Sequence, residues 1–257
     1  MRLLKLILVM KNIFIYLILL INFNCLAQVK KIIVDYTLYF AEPNNLTNNE
    51  RDKIMKGIYK KNGLITYKLY VNDSISYFVD NEGLNSSDLL TSLATNKSLY
   101  DTPIFSDLSK KKIYYSNSTN FIFFKKNQYL IEHPVVSNWS ISSENKIIDN
   151  KVCYKATSID NYYFHTKDKK IEFEITAWFC PEIPVSAGPV FFNNLPGLIL
   201  EISYLDVRLY ATRIEFIETE KFIKKPEGKT IVNYEEYVIL EANKIEEMTK
   251  QINSKKN

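Results

Sequence analysis

Apolar and polar residues alternate with a period of two along most of this chain. Val34, Tyr36, Leu38 and Phe40 alternate with Asp35, Thr37 and Tyr39, and Ile65, Tyr67, Leu69 and Val71 with Thr66, Lys68 and Tyr70. The clearest run sets Ile171, Phe173, Ile175, Ala177 and Phe179 against Glu172, Glu174 and Thr176. Successive side chains of a strand point to opposite faces, so each run predicts a half-buried strand. Further strands are expected around 75–79, 112–116, 120–124, 128–132, 146–158, 197–205 and 207–217, where Tyr, Phe, Ile and Thr suit a pleated surface. The turns "VNDS" at 71–74 and "YLDVR" at 204–208 are short enough for hairpins. Many strands with short connections imply a mostly antiparallel sheet. The chain lacks strand–helix alternation and a GxGxxG loop, which argues against a doubly wound parallel sheet.

Two segments switch to helical spacing. Asn48 to Lys61 carries Ile54, Met55 and Ile58 and stops at Asn62-Gly63. The second is C-terminal, with Tyr234, Tyr237, Val238, Ala242, Ile245, Met248 and Ile252 at threes and fours. Asn233 with Glu236 reads as its capping box. Asn81 to Asp101, rich in Ser, Thr and Asn, reads as a loop. The fold class expected is mainly β (α+β): a curved antiparallel sheet with an N-proximal and a C-terminal helix.

The N-terminus changes the picture of where the protein works. Arg2, Lys5 and Lys11 precede an apolar run from Ile13 to Ile21, and "NFNCLAQ" then offers Ala27 before a cleavage point. That order is a secretory signal peptide at 1–27, with Met10 as an alternative start. The expected mature chain is a single β-rich domain over 28–257. It would be exported, to the periplasm, the outer membrane or the medium, with no transmembrane span after cleavage. Three positive charges leave with the signal, so the formal net charge of +4 falls to about +1. Nothing in that balance points to nucleic acid. Lipidation at Cys25 is the rival reading, against which Phe23 and Asn24 fit a lipobox poorly. Cys153 and Cys180 then remain, an even pair in an oxidising compartment, read either as a disulfide or as two buried thiols.

Turn residues gather in one place. The stretch 183–202, "IPVSAGPVFFNNLPGLILEI", holds Gly188 and Gly197 of six glycines and Pro184, Pro189 and Pro196 of eight prolines, with Pro181 just upstream. Prolines lack the amide that a sheet ladder needs, so the strand through 171–179 should stop here. Pro196-Gly197 predicts a type II turn with a positive φ at glycine. Val190, Phe191 and Phe192 are too apolar for a solvated loop. The segment therefore reads as a rigid excursion between two strands that packs against the sheet.

"TAWFCPEIPVSAGPVFFNNLPGLILEI" resembles the signature of the GLPGLI family of exported proteins, found mainly in Bacteroidetes. Leu195, Pro196, Gly197, Leu198 and Ile199 match the family's naming motif, and Ala177-Trp178, Glu182-Ile183-Pro184 and Gly188-Pro189 match upstream. Trp139 with "ENKIIDNKVCYKAT", including Cys153 and Ala156, resembles the strand pair before the motif. Asn194 stands where the first motif glycine belongs, and asparagine is the residue after glycine that best tolerates a positive φ. The resemblance implies export, a β-rich fold and no established enzymatic activity. The arrangement also looks like the half-barrel of periplasmic lipoprotein carriers such as LolA, which hold acyl chains in a concavity; this is analogy of fold alone.

Candidate chemistry is sparse. The two histidines, His133 and His165, are far apart, and neither an HExxH motif nor a phosphate-binding glycine loop occurs, so no metal or cofactor is expected. A Cys–His–Asp arrangement of Cys153 or Cys180, His165 and Asp160 has no supporting context. Glu182 and Glu201 flank the motif as a conceivable carboxylate pair, although Glu182 also suits a turn cap and Glu201 an outward strand position. Trp178 faces away from Ala177 and Phe179, toward either a covering helix or a groove. The function expected is an exported non-enzymatic cell-envelope protein that binds an apolar ligand such as a lipid, or an outer-membrane protein partner. The alternative is a cell-envelope hydrolase using Glu182 or Cys153. The residues singled out as ligand or structural positions are Trp178, Glu182, Pro184, Gly188, Pro189, Asn194, Leu195, Pro196 and Gly197.

Overall fold

A computed structural model describes residues 31–72, 74–81, 88–100, 102–117, 124–163, 170–218 and 223–254. The predicted signal segment with Cys25, the strand expected at 120–124 (apart from Phe124) and His165 lie outside these residues.

The predicted alternation forms one open sheet of twelve strands. In chain order they are β1 (Lys31–Phe40), β2 (Thr66–Asn72), β3 (Ile75–Asp80), β4 (Ile104–Asp107), β5 (Lys112–Ser116), β6 (Tyr129–His133), β7 (Ser140–Ile148), β8 (Lys151–Tyr163), β9 (Lys170–Cys180), β10 (Leu198–Tyr204), β11 (Val207–Ile217) and β12 (Thr230–Asn233). Across the sheet they run β12-β6-β5-β4-β3-β2-β1-β11-β10-β9-β8-β7. The sheet is antiparallel as expected, except that the short β12 pairs parallel with β6. The expected strand at 146–158 is two strands, because Asp149 and Asn150 both take positive φ (48° and 56°) and turn β7 into β8. Two consecutive positive φ values are the geometry of a tight hairpin, and Asp and Asn tolerate them.

Three helices complete the fold: α1 (Glu50–Tyr59), α2 (Leu89–Lys97) and α3 (Tyr234–Ser254). Asn49 caps α1 by accepting from the Asp52 amide, and Gly63 (φ 77°) follows its end. At α3 the capping box forms in both directions: the Glu236 amide donates to Asn233 Oδ1 at 2.8 Å and the Asn233 amide to Glu236 Oε2 at 3.1 Å. Helix α2 corrects the loop expected at 81–101. Asp88 accepts from the Leu90 amide and the Thr91 hydroxyl, so a polar stretch carries its own start signal.

The sheet has an inner and an outer face. Tyr36, Tyr67, Phe78, Ile131, Ile175, Ala177, Ile202 and Leu209 line the inner face, all buried. Tyr59 of α1 packs on Phe40, Tyr100 beyond α2 packs on Tyr67 and Phe78, and Tyr237 of α3 packs on Tyr129. All three helices thus reach the inner side. Among the described residues, no helix is long and apolar enough to cross a membrane.

Candidate functional site

The proline-set segment between β9 and β10 is a strap lying on the inner face. Its backbone is tied to itself and to β10: Leu198 N–H donates to Ile183 O at 3.0 Å, Ile199 N–H to Ala187 O at 3.0 Å, and Asn194 N–H to Ser186 O at 3.2 Å. Pro184 and Pro196 are exposed, while Ile183, Ala187, Gly188, Pro189, Val190, Phe192, Leu195 and Gly197 are buried. The predicted type II turn does not form. Gly197 is not at positive φ; its amide donates to Leu195 O at 2.8 Å, a three-residue turn centred on Pro196. Glycine is required there for space, because a β-carbon would lie 2.4 Å from Cys180 O. Gly188 has the same reason, with Phe192 O at 2.4 Å. The positive φ falls on Asn194 (69°), and also on Val190 (56°).

The strap crosses the concavity. Five strands separate β5 from β10 in the sheet order. Even so, Phe191 of the strap lies 5.4 Å from Tyr115 of β5 and stacks on His133 of β6 at 4.0 Å, 8° from parallel. The sheet is therefore curled, and the strap spans its mouth. Phe192 packs on Tyr204 at 4.9 Å. Two polar contacts fix it from the β6–β7 connection: Trp139 Nε1 donates to Asn193 O at 3.0 Å, and Asn194 Nδ2 to Val136 O at 3.2 Å. The buried tyrosine hydroxyls are also engaged, Tyr36 with Ile199 O and Tyr204 with Ser98 O. The place where a carrier would keep its hollow is thus filled by aromatic and aliphatic side chains.

The outer face is different. Ile223 and Lys225 cover its β4–β6 end, where Ile223 packs on Phe105, Tyr114 and Leu130. Over β7 to β2, no described helix or strap lies on it. Trp178 faces this side, so the covering helix that its alternation allowed is absent among the described residues. Lys146 Nζ sits 4.2 Å from the centre of the Trp178 ring and 2.8 Å from Glu201 Oε2. Arg208 reaches the same carboxylate oxygen at 3.1 Å. Glu201 takes the outward strand position expected of it, and its side chain is only 10% exposed because both cations hold it. Beyond it, Tyr39 and Tyr210 stack at 5.3 Å, and Lys68 pairs with Asp35 at 2.6 Å. The result is a strip of half-buried aromatic rings and paired charges across the sheet.

The hydrolase candidates are not brought together. Glu182 is exposed at the root of the strap. Cys153 and Cys180 are both buried and both free thiols. Burial, and then the neighbouring Cys180 thiol, push the Cys153 thiol up to about 12, so it is protonated at neutral pH. His133, given no role from sequence, is held neutral: burial lowers it to about 4, opposed by the hydrogen bond that its Nδ1–H donates to Pro134 O at 2.8 Å. It borders an open depression of about 340 Å³ lined also by Lys111, Glu132, Asn233, Tyr234 and Glu235. Among the described residues, no group of three His, Cys, Asp or Glu side chains is placed to hold a metal.

The strap is also where the chain meets known proteins. Residues 160–201 match the family described as "Protein of unknown function (Porph_ging)". The Porph_ging match takes in β9, the whole strap and the first residues of β10, so it falls on the filled inner face and on Trp178 and Glu201. No curated protein matches the chain. Among solved structures, PNGF-II in a C2 space group is 13% identical with a TM-score of 0.49, and PNGF-II in a P21 space group is 12% identical with a TM-score of 0.46. Each alignment covers 84% of this chain, which spans about a third of PNGF-II, 33% and 34% respectively.

Proposed function

We propose that the chain is an exported, non-enzymatic cell-envelope protein of the GLPGLI type, and that it acts by binding a protein partner through the outer sheet face around Trp178. The observation that carries this reading is the contrast between the two faces. The inner face is packed with buried side chains, Phe192 and its neighbours among them. The outer face presents Trp178, Tyr39 and Tyr210 beside Lys146 and Arg208. Tyr, Trp and Arg are the side chains that dominate protein interfaces, since each offers large rigid area with a polar tip. Export is supported by the N-terminal charged, apolar and small-residue order and by the family resemblance. The partner would be an outer-membrane or periplasmic protein.

A photo-crosslinking residue placed at Tyr210 in the full chain, expressed in its own envelope, tests this. One discrete protein adduct is expected, and none from the same residue at Ile252 on α3. Absence of a Tyr210 adduct, together with lipid co-purifying stoichiometrically, would overturn the reading in favour of an apolar ligand.

A further inference from the structure

We propose that Cys153 and Cys180 are a cross-strand disulfide site, closed in the exported protein and buried in the sheet at the end of β9. The two residues belong to one rung of the sheet. β8 and β9 pair antiparallel with Tyr154 opposite Phe179, and the next step along that register sets Cys153 against Cys180. Their outer neighbours fix the rung: Cys153 pairs with Lys146 of β7, and Cys180 with Leu198 of β10. Residues opposite one another in an antiparallel pair have Cα atoms roughly 4.5–5.5 Å apart. A disulfide needs roughly 4.4–6.8 Å, so no backbone movement is required. Cys153 Sγ–H donates to the Lys151 carbonyl at 3.7 Å, and both thiols are free and buried.

The chemistry is thiol–disulfide exchange with a disulfide oxidant of the exporting compartment, protein or small molecule. One thiolate attacks the oxidant's disulfide and forms a mixed disulfide, releasing one oxidant thiol. The second cysteine's thiolate then attacks the chain's own sulfur in that mixed bond and releases the other oxidant thiol. Net, two cysteine thiols are oxidised to one disulfide, and the oxidant's disulfide is reduced to a dithiol that takes up both protons. Both sulfurs are wholly buried in the fold, Cys153 and Cys180 each at 0% exposure. Exchange therefore belongs to the folding chain, before Gly197 settles on the Cys180 carbonyl. Catalytic redox pairs are exposed and low in pKa; this pair is buried and serves as a structural staple.

Peptide mapping of the full-length protein recovered from an oxidising envelope, acid-quenched and digested without reductant, tests the site. A linked peptide carrying Cys153 and Cys180 is expected; both cysteines alkylated before reduction would overturn it. Protein made in a reducing cytosol and oxidised by glutathione disulfide supplies the second arm. The linked peptide should form from the denatured chain at least tenfold faster than from the native one; equal rates would overturn the burial of the pair. A C153A/C180A variant should melt about 5–10 °C below the oxidised protein and within about 2 °C of the reduced one. Equal melting of all three forms would remove the staple role.

Discussion

Gly197 rests on the carbonyl of Cys180, so close that a β-carbon at 197 would stand 2.4 Å from the oxygen and 2.6 Å from its carbon. Both atoms belong to the backbone and cannot swing aside. Gly197→Ala must therefore push the strap off the end of β9, at a cost of about 3 kcal/mol or more in urea denaturation. Pro196→Ala, at the exposed neighbour, should cost about 1 kcal/mol or less, through unfolded-chain entropy alone. Similar losses from the two variants would mean that proline stiffness, and not close approach, sets the motif.

Asn194 stands at φ 69° in the place of a glycine. Its side chain also donates to Val136 O, which ties the strap to the β6–β7 connection. Asn194→Gly relieves the left-handed strain and loses that bond, so it should fall within about 1 kcal/mol of the parent. Asn194→Ala loses the bond and keeps the strain, and should be about 1 kcal/mol less stable than the glycine variant. Glycine outranking alanine inverts the usual order in regular structure. If denaturation midpoints rank alanine first, the residue is not held left-handed.

Most of the strands and two of the three capped helices were legible because their signals are local, whereas β4, β12 and α2 were not. Period-two alternation in 171–179 and the Asn233–Glu236 box need only neighbouring residues. The strap's packing was also legible, from its apolar content against its prolines. Its turn type was not, because Gly197 answers to Cys180, 17 positions earlier, and not to its own φ. The hairpin at Asp149-Asn150 was readable in principle, as two turn-forming residues between apolar flanks. Glu201 shows the limit most clearly. Alternation put it on the outer face correctly, but its burial depends on Lys146 and Arg208 of other strands, which no local pattern reveals. Which strands meet across a curled sheet, as Phe191 meets His133, is fixed only by the whole topology.

Lys146 lies between the Trp178 ring and the Glu201 carboxylate, so charge and stacking share one side chain. Its side chain is about a third exposed, which screens the pair. A double-mutant cycle of Glu201→Gln and Lys146→Met should give a coupling of about 1 kcal/mol in stability. Arg208, still present, keeps the single Lys146 variant folded. In the crosslinking assay at Tyr210, the Lys146→Met variant should lose adduct yield several-fold while its melting temperature moves by only a few degrees. Undiminished crosslinking would place the partner elsewhere on the chain.

His133 gives the fold a pH dependence whose sign is fixed by its burial. Its native pKa, near 4, lies below the ordinary histidine value of 6.5. The unfolded chain therefore takes up a proton first as pH falls, and stability drops between about pH 6.5 and pH 4, then levels off. Its rings of contact, Tyr115, Phe191 and Tyr234, carry no compensating charge. Glu132 and Glu235 border the same depression. Asp107, lowered to about 2 against burial by the Ser109 hydroxyl and Lys110, loses its contribution only below the usual carboxylate range, outside this window. The melting temperature should fall by roughly 5–10 °C from pH 7 to pH 4.5. In His133→Phe, which keeps the stack on Phe191 and cannot titrate, the fall should shrink to less than half. A variant that tracks the parent across this range would show that the strap's hold on β6 does not depend on a neutral imidazole.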